Sequence, residues 1–62
     1  MWKLNKDGNV AENKETGKIC KIELGRDGLY RVKKGYKTIG TFMTMEDAKK
    51  HLADIVKKWN EE

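Results

Sequence analysis

"GTFMTMEDAKKHL", residues 40 to 52, decides the fold, because it runs from a strand end into a helix start with no intervening linker. Thr44 stands where an N-cap is needed, with Asp47 three residues on, a capping-box spacing with Asp in place of Glu. Met43 is positioned to pack on the first turn as a staple. Beyond the cap, Met45, Ala48, Leu52, Ile55, Val56 and Trp59 recur at helical spacing, while Glu46, Lys50, Asp54 and Lys57 lie opposite. The spacing predicts a helix over 44–60 with one buried stripe and one wet face.

Upstream of that junction the period changes from helical to two. In KICKIEL, Cys20, Ile22 and Leu24 share one face and Lys21 and Glu23 the other, the pattern of a half-buried strand. GRDG (25 to 28) reads as a turn. LYRVKK then puts Tyr30 and Val32 on one face and Arg31 and Lys33 on the other, and Lys34-Gly35 supplies a hairpin turn into YKTIGTF. Ile39 and Phe42 differ in parity although both suit a core. An interior glycine beside such a slip suggests a bulge near Gly40-Thr41 that turns both inward, and an outward Ile39 fits the same pattern.

The first seventeen residues carry weaker signals. Trp2 and Leu4 alternate with Lys3 and Asn5, Asp7-Gly8 is a turn signal, Val10-Ala11 can pair back, and NKETG (13 to 17) reads as a solvated loop. Residues 1–17 are expected to add a strand or short hairpin at the sheet edge. The expectation is thus a single α+β domain over 1–62: an antiparallel three-stranded meander, extended or not by the N-terminal segment, packed on one C-terminal helix. An N-terminal strand carrying Trp2 and Leu4 is also open to pairing across a homodimer.

Composition narrows the chemistry. A chain of 62 residues buries only roughly 60% of the surface its unfolded form exposes, which leaves little depth for an active site. The one cysteine, Cys20, rules out an internal disulfide, and with a single histidine and no serine the set of nucleophiles and bases is meagre. Cys20 alternates with core positions and His51 falls on the border of the helix stripe, so a packed thiol and a boundary histidine are expected, with no enzyme activity, metal or other cofactor. Asp47 and His51, four apart, suit a local ion pair. No glycine precedes a helix as a phosphate-cradling loop requires. No run approaches the roughly 20 apolar residues of a membrane span, and the N-terminus lacks the apolar stretch of a signal peptide. A soluble protein of the cytoplasm, bacterial or in an infected host cell, with no membrane partner, is expected.

Charge points to the sheet. Of the net +4, residues 1 to 42 contribute +5 and residues 43 to 62 contribute −1, and the run from 29 to 42 holds Arg31, Lys33, Lys34 and Lys37 with no acid. With the helix on one face, Lys21, Glu23, Arg31 and Lys33 point to the other, and Lys34 and Lys37 sit at the adjoining turn. Such a row can neutralise phosphates, and a sheet can enter the major groove. Arg31 suits a guanine edge, Lys21, Lys33, Lys34 and Lys37 suit phosphates, and Thr38 completes the candidate nucleic-acid or partner-binding set. The same lysines also serve solubility and edge protection, and Tyr30 and Tyr36 are expected in core or hairpin packing.

"LYRVKKGYKTIGTFMTMEDAKKHLADI", a strand ending in G-T-F and then T-x-E-D-A with a helix, resembles the three-stranded-sheet-plus-helix DNA-binding domains of plant AP2/ERF factors and the arm-binding N-terminal domains of phage-type tyrosine recombinases. The resemblance covers about residues 18–58 and rests on Gly40, Thr41, Phe42, Thr44, Glu46, Asp47 and Ala48, with the reading strands partly echoed by Arg31, Lys33 and Thr38. It implies a sheet that enters duplex DNA with the helix packed behind, in a protein of phage or mobile-element type. The same rhythm is similar to the second half of peptidoglycan-binding SPOR domains, without their first helix and final strand. A separate expectation from the basic face is a small interaction protein that docks on an acidic surface of a host protein and inhibits or modulates it.

Overall fold

Four glycines with positive φ set the topology: Gly8 (76°), Gly17 (74°), Gly28 (80°) and Gly35 (64°), one in each connection between strands. In the computed structural model, which describes residues 1 to 61, they separate Trp2–Leu4 (β1), Val10–Asn13 (β2), Lys18–Leu24 (β3), Tyr30–Lys34 (β4) and Lys37–Phe42 (β5). The strands form one antiparallel sheet in the order β1-β2-β3-β4-β5, followed by the helix Met45–Glu61 (α1). The α+β architecture is as expected, and the sheet has five strands because the three-stranded meander is extended by a complete N-terminal hairpin, β1-β2. Two asparagines make the difference. Asn5 Oδ1 accepts from the N–H groups of Asn9 (3.1 Å) and Val10 (3.2 Å), and Asn13 Oδ1 from those of Glu15 (3.0 Å) and Thr16 (3.4 Å). These side-chain bonds satisfy turn backbone that would otherwise be loose, so both N-terminal connections close as hairpins.

The β5 slip is a bulge one residue earlier than expected. Gly40 pairs with Val32 and Thr38 with Lys33, so Ile39 is the extra residue, and both Ile39 and Phe42 pack against the core. Gly40 is needed there: a Cβ would come within 2.9 Å of the Phe42 ring and 3.2 Å of His51.

Thr44 caps α1 by accepting the Asp47 N–H at Oγ1 (3.2 Å) and the Ala48 N–H at its carbonyl (3.2 Å). Met43 is 80% exposed, so the expected staple does not form. From the cap the helix crosses the sheet diagonally, with His51 against the Phe42 ring near its start (centroids 5.0 Å apart) and Trp59 against Trp2 at its end (4.6 Å). His51 therefore packs on β5, and no ion pair with Asp47 occurs among the described residues. Ala11, Cys20, Val32, Ala48 and Leu52 are sealed from solvent, closed off by Trp2 and Val56. No helix among the described residues is long and apolar enough to cross a membrane.

The helix end holds the first strand. Asn60 Oδ1 accepts the Trp2 N–H (2.8 Å) and its Nδ2 donates to the Trp2 carbonyl (3.0 Å), so one side-chain amide occupies both backbone polar groups of Trp2 on the edge strand. Trp2, expected on an exposed strand, is 8% exposed.

Candidate nucleic-acid interface

Among the described residues no element covers the face of the sheet opposite α1, and the register decides which side chains stand on it. Val10, Lys21, Lys33 and Thr38 form one rung across β2 to β5, and Glu23, Arg31 and Thr41 form the next across β3 to β5. Three of the six candidate residues, Lys21, Lys33 and Thr38, thus lie side by side. Opposite like charges on neighbouring strands repel, and the acid one rung away relieves this. Glu23 accepts from Lys33 Nζ (3.0 Å) and Lys21 Nζ (3.2 Å), and those two contacts, Lys33 first, hold its carboxyl below the usual carboxylate range. The trio keeps one net positive charge and a fixed arrangement.

Arg31 is engaged by a residue of its own hairpin. Its guanidinium donates to both oxygens of Asp27, at 3.1 and 2.6 Å, a fork-to-fork pair. That contact, helped by the Leu29 N–H at 3.2 Å, lowers the Asp27 pKa from 3.8 to about 2 and raises that of Arg31. Two of the five guanidinium donors are taken, which leaves three.

Lys34 does not join the face. It shares the parity of Val32 and pairs with Cys20 across the strands, which directs it to the helix side, where Nζ lies 4.7 Å from the Trp59 ring centroid and 5.7 Å from that of Trp2. Lys37 pairs with Lys34 across the turn, so the same parity directs it to the helix side, where it is exposed and forms no ion pair among the described residues.

Sequence reasoning missed the end of the face. Gly35 with positive φ followed by Tyr36 with negative φ has the φ pattern of a type II′ turn, whose second position accepts any side chain and points it off the hairpin. Tyr36 is accordingly fully exposed (105%), outside the packing expected for it, whereas Tyr30 packs against the core. Beside it the Gly35 N–H donates to the Ile19 carbonyl (3.0 Å), and Ile19, which shares the open-face parity of Lys21, is 44% exposed. Gly17, Lys18, Ile19, Lys21, Lys34, Gly35 and Tyr36 border a shallow groove of about 570 Å³. Lys14, Lys18 and Lys37 surround this end without ion-pair partners among the described residues, and the nearby Glu15 is held by the N-terminal ammonium at 2.8 Å. The visible signal was the Gly-Tyr order of the turn.

Cys20, the one candidate nucleophile, is sealed inside the core, where burial pushes its thiol pKa up against a smaller opposing effect of the Lys34 charge. No cluster of three or more metal-ligating side chains occurs among the described residues. No protein-family model, curated protein sequence or solved structure matches this chain.

Proposed function

We infer that this chain is a small non-enzymatic nucleic-acid-binding protein, with duplex DNA as its main ligand, acting through the open face of its sheet. The observation that carries the reading is the Lys21-Lys33-Thr38 rung: two cations and a hydroxyl aligned across three strands on the open face, with exposed Lys18 and Lys37, which form no ion pair among the described residues, near the hairpin end. Lysines in such a row contact phosphates, and Arg31, oriented by Asp27, keeps enough donors to meet a guanine edge. Lys34 is left out of the contact set. The resemblance to AP2/ERF and recombinase arm-binding domains supports the same use of the sheet and the phage or mobile-element setting.

Fluorescence anisotropy with labelled duplex DNA over a range of salt tests this. Four phosphate contacts predict a log-log slope of about −3.6. Lys33→Glu with Lys37→Glu should abolish binding, and Glu23→Gln, which removes an acid from between two lysines, should tighten it. Absence of binding at about 50 mM salt with micromolar protein refutes the reading. The competing reading, docking of the same lysines on an acidic host protein, would then gain.

A further inference from the structure

Tyr36 and Ile19 are apolar surface for which the fold has no need. The II′ turn requires glycine at its first position and nothing in particular at its second, yet a tyrosine stands there buried against nothing. Ile19, bonded through its carbonyl to the Gly35 N–H, is exposed on the same face as Lys21. An aromatic ring and an aliphatic side chain bordering a shallow groove offer a flat apolar seat, and the charged groups along the groove are all cations: Lys18, Lys21 and Lys34. The occupant that complements both features is flat, apolar on its faces and attached to anionic groups.

We propose that the Tyr36-Ile19 groove seats one unpaired nucleotide base, stacked on the Tyr36 ring, with Lys18 and Lys21 on the flanking phosphates. This rests on the nucleic-acid reading of the open face and narrows it: the preferred ligand is a duplex that ends in a single strand, with the paired part on the Lys21-Lys33 rung and the first unpaired base at the hairpin end. Stacking of a base on an aromatic side chain tolerates any sequence, because every base has a π-face.

The test compares three labelled probes at one salt concentration: a blunt duplex, the same duplex with a short thymidine overhang, and the thymidine oligonucleotide alone, with polyglutamate as an anionic control. The overhang probe should bind about 5- to 100-fold tighter than the blunt one. Tyr36→Ala should bring it to the blunt level without altering blunt-duplex affinity, and Tyr36→Trp should keep the preference. Since Tyr36 supports no packing, its variants should melt with the wild type, which separates a lost seat from a lost fold. Equal binding of blunt and overhang probes, or a preference that survives Tyr36→Ala, overturns the proposal and leaves the open-face reading standing. Binding of polyglutamate with the same Tyr36 dependence as the overhang probe overturns it in favour of an acidic peptide. Failure of every DNA probe to bind overturns both readings.

Discussion

Replacing Asn60 by alanine should unfasten the first strand. The amide makes two hydrogen bonds, of 2.8 and 3.0 Å, to the backbone of a residue 58 positions away, so it joins the two ends of the chain. Each such bond contributes roughly 0.5–1.5 kcal/mol net, and the site is partly buried, so water only partly replaces the lost partner. A loss of about 1–2 kcal/mol follows. At roughly 2.1 cal/mol/K per residue the unfolding entropy of the domain is about 0.13 kcal/mol/K, which converts that loss into a fall in Tm of about 8–15 °C. Thermal unfolding by circular dichroism measures the fall, and hydrogen exchange at the Trp2 amide reports the local event. The variant also frees the N–H and carbonyl of Trp2 on an edge strand, so association through β1 should become concentration-dependent in analytical ultracentrifugation. A Tm within about 2 °C of wild type together with unchanged Trp2 amide protection would refute the assignment of Asn60 as the fastener of β1.

Lys34→Gln removes a cation held over Trp59 and Trp2 and should lower stability by about 0.5–1 kcal/mol while weakening DNA binding less than Lys33→Gln does; equal losses of affinity would contradict the helix-side placement. Gly40→Ala would gain strand propensity on a simple scale, but its Cβ would press on Phe42 at 2.9 Å and on His51 at 3.2 Å, and overpacking of about 1–3 kcal/mol outweighs a gain of about 0.5–1, so a lowered Tm is expected. The Asp27 carboxyl, lowered from 3.8 to about 2 mainly by Arg31, stabilises the fold above the unfolded value, and this contribution is lost as pH falls through about 2. The stability gap between wild type and Asp27→Asn should therefore be constant above about pH 5, narrow as pH falls from there and close below about pH 2, and an NMR titration midpoint for Asp27 near 3.8 would contradict the pairing.

Where a structural feature depends on local chemistry, the sequence shows it. The Thr44 cap, the Ala48-Leu52-Val56 stripe and the alternation in β3 and β4 all follow from neighbours a few residues apart. The β5 bulge was visible as a parity conflict, displaced by one position. The N-terminal hairpin was only half legible, because β1 is held by Trp59 and Asn60 at the far end of the chain, and no local pattern announces a contact across 58 positions. Lys34 was misread for a different reason. Residues at a turn were treated as facing neither side, yet strand parity continues to Lys34, the last residue before Gly35, and sends it under the helix end.

The open face raises a question that parity alone cannot reach, because its charges acquire meaning only from register. Alternation places Lys21 and Lys33 on one side of the sheet, but only the pairing of β3 with β4 sets them opposite each other. For solubility that arrangement is poor: two lysines in one rung repel, and spreading them over different rungs would hydrate the surface equally well at lower cost. The repulsion is relieved by Glu23, which accepts from both ammoniums, at 3.0 and 3.2 Å. Under the proposed nucleic-acid reading, a phosphate would compete with this carboxylate for the two ammoniums. The same logic sets the sign of the Glu23→Gln experiment: solvation alone predicts no change in affinity for DNA, whereas a phosphate-binding rung predicts tighter binding and a salt slope steeper by about one.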